Sequence, residues 1–350
     1  MTLDAPEEQK QEQPQPQQLQ LQDQKPHKEE MKGDVAKTAD PNGDVILELS
    51  RPDETRVHIR VSSKVLSMAS PVFAAMFGSE FKEGLSNHRS SSADGGGAYV
   101  VPLPDDDAEA FVAICNVIHF RSDEVPHKPS IVCLQNIAFI ADKYDCTKAL
   151  TAQTAQWLRS WIDAPRPVEW RKLLFVAYVM DTADAFSRIS WEILRTQIGP
   201  MLSPSELAGH ELIHHNLLAE FRVRKSEIDM DVLKSVDGPI TRLLGSNCGI
   251  GSSSVWRYCR ELYGRGMWPL TERLQRMDLV TIFAVLMTFP EMKSDVCGYT
   301  RCNFCRGLDF QGELRNMRDR IMNERRGLCL DCVKTEGKSR IEHACRIRHQ

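Results

Sequence analysis

Residues 57–77 have the sequence VHIRVSSKVLSMASPVFAAMF, and this stretch decides the fold of the first half of the chain. Its beginning alternates apolar and polar side chains, which predicts a half-buried strand. Ser70 can then cap a helix, and Pro71 suits the first helical position because its missing N–H would be unpaired there in any case. Large apolar side chains follow at helical spacing. The stretch therefore predicts a strand that runs into short helices.

The residues before this stretch complete a hairpin. Residues 44–49, DVILEL, predict a first strand, and residues 51–54 have the proline and acidic residues of a turn. The second strand covers residues 55–61. Two strands joined by so short a turn pair with each other. Order is therefore expected to begin at Gly43.

The residues after it predict the rest of a small α+β domain that spans residues 43–160. Residues 86–98 are rich in serine and glycine, so they are expected to form a flexible surface insertion. A strand is predicted at 99–103, and residues 104–107 open a helix with carboxylates at the positive end of its dipole. Two further helices are predicted, at 131–144 and 147–161.

The flanking segments differ in composition. Residues 1–40 are rich in Gln, Pro, Lys and Glu, so they cannot bury enough apolar surface to offset chain entropy and are expected to form a disordered arm. Residues 168–290, after prolines 165 and 167, predict an all-helical region. Residues 270–289 are expected to form its last long helix. The clearest amphipathic stripe of the whole region 168–290 consists of Phe186, Ile189, Ser190, Ile193 and Leu194.

Three motifs, in this order along the chain, are similar to motifs of the BTB/POZ family. Residues 57–77 resemble the family's strand that runs into a leucine, a Ser-x-Val-Phe helix start and a Met-Phe end. Residues 103–111, LPDDDAEAF, resemble its strand-to-helix crossing. Residues 138–146, AFIADKYDC, resemble its late Ala-Asp-Lys-Tyr helix. The resemblance implies the BTB/POZ fold, a small sheet with helical hairpins.

This resemblance also implies a protein that binds other proteins, often as a homodimer formed through the first helix region. Some members dock onto a cullin scaffold of ubiquitin ligases through an apolar-x-Glu element after the Met-Phe helix. Phe81 and Glu83 stand at the matching place. There the aromatic side chain would fill a pocket and the carboxylate would fix its orientation. The alternative is that Phe81 packs within the domain and Glu83 is a solvated charge.

Two features depart from the family pattern. Ser62 and Ser63 occupy positions where many members carry a His-Lys pair, and the insertion at 86–98 is longer than the usual link. Together with the helical region and a cysteine-rich tail, these features make the chain most similar to BTB proteins of filamentous fungi. These departures weaken the inference of a particular member's partner for this chain.

Six of the 11 cysteines lie within residues 297–345. Cys302 and Cys305 form one C-x2-C pair, and Cys329 and Cys332 form another. A gap of two residues lets both sulfurs of a pair face one ion, and two such pairs complete a tetrahedral site of four thiolates. This part of the chain is therefore expected to be a small module that holds a structural zinc ion.

Cys297, His343 and Cys345 remain as extra ligands, which could replace one of the four or belong to a second site. Buried cysteines without metal and a redox-active pair are the alternatives, although a redox pair is typical of a thioredoxin-like context that the sequence does not show. Between the two pairs, residues 314–322 predict a short polar helix. No signal segment precedes these cysteines, so we expect a reducing, intracellular location in the cytoplasm, the nucleus or both.

Composition argues against several other functions. The net charge of -4 gives no global attraction to nucleic acids or membranes. The longest apolar run, residues 279–289, is about half of the ~20 residues needed to cross a bilayer. Residues 291–350 contain 13 Lys and Arg against 9 Asp and Glu, too small an excess for a nucleic-acid-binding domain. No arrangement of catalytic side chains stands out, so a non-enzymatic protein is expected.

The combined expectation is a protein-binding scaffold or adaptor. A substrate adaptor of a cullin-type ubiquitin ligase is the first alternative, resting on Phe81 and Glu83. A transcription-related protein that uses the zinc module is the second.

Overall fold

The hairpin expected between residues 44 and 61 is confirmed and forms the centre of a four-stranded sheet. Strand β2 (Val45–Ser50) pairs antiparallel with strand β3 (Arg56–Val61). Buried side chains alternate with half-buried or exposed ones along both strands, as the sequence pattern predicts.

The computed structural model describes residues 34–78, 98–165, 168–199, 210–213, 215–245, 251–290, 309–324, 327–335 and 345–347.

One edge strand on each side completes the sheet. Strand β1 (Val35–Thr38) runs parallel to β3, and strand β4 (Tyr99–Leu103) runs parallel to β2, which gives the order β1-β3-β2-β4. β1 lies inside the range 1–40 and before Gly43, where order was expected to begin. That expectation is wrong for these four residues. Three of them are exposed, so the strand is held by backbone hydrogen bonds to β3 and not by buried apolar side chains. Amino-acid composition does not reveal such pairing.

Two short helices follow the hairpin, as the sequence predicts. Helix α1 (Ser63–Ala69) is capped by Ser62, and helix α2 (Pro71–Met76) is capped by Ser70. The Ser70 hydroxyl accepts a hydrogen bond from the Phe73 N–H at 3.0 Å. The helix start expected at this serine and the following proline is therefore confirmed.

Helix α3 (Ala108–Ile118) ends against the start of α1. His119 Nε2 accepts a hydrogen bond from the Ser62 N–H at 3.0 Å, and its Nδ1 donates to the Cys115 carbonyl at 2.9 Å. Burial lowers the pKa of His119, and this outweighs the Cys115 carbonyl and the charge of Asp40, which favour the protonated ring. The imidazole is therefore neutral at pH 7.

The three motif segments meet in one core. The Phe73 and Tyr144 rings stack with centroids 4.6 Å apart, and Phe111 meets Tyr144 edge to face at 5.5 Å. The Ser70 hydroxyl donates to the Tyr144 carbonyl at 2.5 Å. The Tyr144 hydroxyl in turn donates to the buried Asp106 carboxylate at 2.6 Å. Each of the three segments thus supplies part of a single packed and hydrogen-bonded cluster.

The helical region packs directly on this α+β part. Helix α4 (Ile131–Lys143) and helix α5 (Thr147–Ile162) are followed by α6 (Trp170–Val179) and α7 (Ala183–Thr196). α4 lies against α6, where the Phe139 and Phe175 rings are 4.7 Å apart. α5 lies against α7. The two parts therefore share apolar contacts.

The remaining described residues are also mainly helical, as expected for residues 168–290. None of the helices in the described part of the chain is long and apolar enough to cross a membrane. The remaining α-helices are α8 (Asn216–Leu244), α9 (Gly251–Gly264), α10 (Leu270–Arg276), α11 (Leu279–Met287), α12 (Phe310–Asp319) and α13 (Leu330–Lys334).

The prediction of a single long helix over residues 270–289 is wrong, because two helices occupy this range. Met277 separates α10 from α11 with an extended backbone, at φ -134° and ψ 148°. Asp278 then caps α11, where its carboxylate accepts the Thr281 N–H at 2.8 Å. An aspartate at this position stabilises a new helix start, which competes with continuation of the first helix.

The short polar helix expected between the two cysteine pairs is present, and one side of it is apolar and buried. α12 and the π-helical turn at Arg320–Glu324 bury Phe310, Leu314, Met317 and Ile321. The Phe310 ring stacks on Tyr258 of α9 at 4.8 Å. These apolar residues recur at three- and four-residue spacing, but arginines between them dominate the composition.

Candidate functional site

Just before the second cysteine pair, the chain lies close against α7. A Cβ atom at Gly327 would fall 2.6 Å from the backbone nitrogen of Trp191, so only glycine allows this approach. The next residue, Leu328, donates its N–H to the Ser190 hydroxyl at 2.8 Å. Ser190 is fully buried and donates in turn to the Ser187 carbonyl at 3.0 Å. The polar member of the predicted α7 stripe is therefore the attachment point of this segment.

Cys329, Cys332 and Cys345 form a compact group of sulfur atoms. Cys329 precedes α13, Cys332 lies within it, and Cys345 comes from a separate segment. All three sulfurs lie within 4.8 Å of one another, and those of Cys332 and Cys345 are 3.7 Å apart. Thiolates bound to one tetrahedral zinc at about 2.3 Å are about 3.8 Å apart, so this spacing suits a shared ion. The group could hold a metal ion.

The surroundings of the thiols argue against a redox-reactive cysteine pair. Cys332 is buried and Cys329 is 9% exposed. Burial, together with the neighbouring thiols, raises the pKa of Cys329 to about 12, although a hydrogen bond from the Cys332 backbone opposes this shift. Reactive cysteines have a lowered pKa instead. A cation bound next to Cys329 would favour the thiolate form of that residue.

A cluster of charged side chains surrounds the thiols. Asp331 lies between Cys329 and Cys332, and Arg346 follows Cys345. The Arg346 guanidinium donates to the Asp331 carboxylate at 2.6 and 2.9 Å, and its backbone N–H donates to the same carboxylate at 2.9 Å. This pair therefore links the two segments that carry the sulfurs.

The same guanidinium also contacts Asp181, in the turn between α6 and α7. It donates to the Asp181 carboxylate at 2.8 and 3.1 Å and to the Asp181 carbonyl at 3.1 Å. Lys334, at the end of α13, donates to the same carboxylate at 2.8 Å. Partial burial works to raise the pKa of Asp181, but the hydrogen bonds from Arg346 and Lys334 outweigh it and hold this pKa below its usual value.

Asp331 has a lowered pKa for a similar reason. Partial burial favours its neutral form, but the side-chain and backbone hydrogen bonds from Arg346 outweigh that effect. Both carboxylates are therefore ionised at neutral pH, and Arg346 bridges them. Ion pairs with this geometry fix the relative position of the segments that they join.

The structure brings together part of the predicted ligand set. Cys329 and Cys332 lie side by side, and Cys345, expected only as an extra ligand, lies beside them. The predicted ligands Cys302 and Cys305 and the extra candidates Cys297 and His343 lie outside the described residues. Sequence reasoning missed Asp181, Asp331 and Arg346. The opposite charges next to Cys332 and Cys345 were a signal that those two segments meet.

A second feature is the outer face of α1 and α2. Met68 is 81% exposed and Val72 is 36% exposed. Pro71, Ala74 and Ala75 are also exposed, as is Lys64 on α1. Exposed apolar side chains that lie close together are typical of a binding site for another protein.

The residues expected to contact a cullin, Phe81 and Glu83, lie outside the described residues, as do residues 86–97 of the insertion. No protein-family model matches this chain, and the curated proteins that were searched contain no match. The BTB/POZ resemblance therefore rests on the motif residues themselves.

Proposed function

We propose that this chain is a protein-binding scaffold or adaptor of the BTB/POZ type, which pairs with a second copy of itself through α1 and α2. The exposed apolar face of these two helices carries the proposal. Burial of an exposed methionine against a partner stabilises a complex, and its flexible side chain adapts to an irregular surface. The core beneath this face, with Phe73 stacked on Tyr144, would keep the helices in place during binding.

Light scattering of the purified full chain tests this proposal. The wild-type protein is expected to have the mass of a dimer at micromolar concentration. Met68→Glu is expected to shift it to monomer, because a carboxylate would then be buried without a partner. The residue is mostly exposed, so the variant is expected to fold and to keep its circular dichroism spectrum.

Val223→Glu is the matched control. Val223 is 56% exposed on α8, outside the proposed face, so its substitution is expected to leave the mass of the dimer unchanged. A wild-type monomer would contradict self-pairing. A dimer that persists in Met68→Glu but dissociates in Val223→Glu would place the interface elsewhere.

We also propose that the ion held by the cysteine group is zinc. Thiolates are ligands of zinc in structural sites, and the three sulfurs lie as close together as neighbouring ligands of one ion do. Zinc analysis of the reduced full chain is the direct measurement, and about one equivalent per chain is expected for one such site.

A further inference from the structure

Asp181 holds both segments that carry the sulfur atoms. Arg346 belongs to the segment of Cys345, and Lys334 belongs to the helix of Cys332. Both side chains donate to the Asp181 carboxylate. The contact with Arg346 joins residues 165 positions apart. Asp181 lies in a tight turn and has a positive φ of 54°. Its carbonyl and its carboxylate both accept hydrogen bonds from Arg346.

We propose that Asp181 is a positioning residue of the metal centre, and that Cys329, Cys332 and Cys345 bind one ion through three thiolates. Asp181 is not a member of the group of possible ligands. It acts through Arg346, which brings Cys345 next to Cys332, and through Lys334, which holds α13 against the turn. Binding of the ion then fastens the Cys345 segment to the turn between α6 and α7. This inference rests on the proposed metal site.

The energetic reason is preorganisation. Cys345 is separated in sequence from the other two thiols, so its segment loses chain entropy when it joins them. The Arg346 contacts with Asp181 and Asp331 fix this segment before the ion arrives. Side chains that orient metal ligands typically change metal affinity by about 10- to 100-fold when they are removed. The carboxylate of Asp181 is expected to act in the same way.

Asp181→Asn in the full chain is the test variant. Asparagine keeps the size of the side chain and accepts a left-handed backbone, so the turn is expected to persist. It loses the negative charge that pairs with Arg346 and Lys334. We expect about tenfold weaker zinc binding, measured by competition with a chelator, with the zinc content at saturation unchanged. Asp184→Asn, at an exposed position in the first turn of α7, is the matched control and is expected to bind zinc like the wild type.

Cobalt substitution tests the ligand set independently. The sulfur-to-cobalt charge-transfer absorption reports the number of bound thiolates, and Cys345→Ser is expected to decrease its intensity. Cys259→Ser, on α9 and outside the group, is expected to leave the spectrum unchanged. An unchanged spectrum in Cys345→Ser would contradict the three-thiolate set.

The remaining outcomes separate the two proposals. Zinc binding of equal strength in Asp181→Asn and the wild type would overturn the positioning role, even where Cys345→Ser alters the cobalt spectrum. Absence of zinc from the reduced wild-type protein, together with no uptake of cobalt, would overturn the metal site itself. Loss of affinity in both Asp181→Asn and Asp184→Asn would show a general charge effect and would also overturn the positioning role.

Discussion

At the scale of single residues, the two hydrogen bonds of the His119 ring require the neutral imidazole. The neutral ring accepts the Ser62 N–H through Nε2 and donates to Cys115 through Nδ1. A protonated ring carries hydrogen on both nitrogens, so it cannot accept the Ser62 N–H. Ser62 is the residue that caps α1, so this hydrogen bond holds the start of that helix.

The first prediction concerns the pH dependence of stability. The folded protein has a lowered pKa at His119, so the unfolded chain binds a proton more readily than the folded one. The stabilising contribution is complete above the usual value of 6.5 and decreases as the pH falls from there toward the folded-state pKa. Urea unfolding at pH 7.5 and 5.5 measures this loss.

His119→Gln removes the titrating group but keeps an acceptor for the Ser62 N–H. Its midpoint in urea is expected to fall less than that of the wild type between the two pH values. An equal fall in both proteins would show that other groups carry the pH dependence.

At the scale of elements, the approach of the Gly327 segment to α7 leaves no room for a side chain. We predict that Gly327→Ala lowers the free energy of unfolding by about 1–3 kcal/mol, the range typical of overpacking. The added carbon would collide with backbone atoms of α7, which cannot rotate away as a side chain can. Chemical denaturation of the metal-free protein measures this effect without a contribution from the ion.

Gly264→Ala is the control for this substitution. Gly264 ends α9, and a Cβ atom there would meet nothing within 4 Å. Its substitution is expected to leave stability unchanged or slightly raised, because alanine loses less chain entropy than glycine on folding. Equal destabilisation by both substitutions would contradict the proposed collision.

The sequence was sufficient to predict elements that have a clear local pattern, such as alternating burial along a strand or a capping residue at a helix start. The hairpin and the Ser70 helix start have period-two alternation and a cap, and both are present. β1 was missed because it is held by pairing with a distant strand and buries little apolar surface. The break between α10 and α11 was missed because the apolar residues on either side of Asp278 match one continuous helix, and the cap at Asp278 interrupts that pattern at a single position.

The site was predictable only in part, for a related reason. The spacing of Cys329 and Cys332 within one turn of chain indicated their proximity. The position of Cys345 beside them depends on Arg346 and on Asp181, a turn in a different part of the sequence. Such long-range ion pairs leave no periodic pattern in a single sequence.

At the scale of the whole molecule, the α+β part and the helical part share an apolar contact. Phe175 of α6 is fully buried and lies against Phe139 of α4. We predict that calorimetry of the full chain shows one unfolding transition for both parts. Phe175→Ala is expected to lower the free energy of that transition by about 3–5 kcal/mol, since it leaves a cavity between the parts.

Val132→Ala is the control. Val132 is on α4, the helix that carries Phe139, and its side chain is 55% exposed. Its effect is expected to stay within about 0.5 kcal/mol. Two transitions in the wild type, of which Phe175→Ala shifts only one, would show that the contact does not couple the parts.

The distance in sequence between Asp181 and Arg346 has a consequence for the time at which the cysteine group can form. Ribosomes add about 5–20 residues per second, so Arg346 is synthesised roughly ten to thirty seconds after Asp181. The helices α6 and α7, which form in microseconds, have ample time to fold first. Metal uptake by this group is therefore a late event during biosynthesis, and the ion joins a surface that is already built.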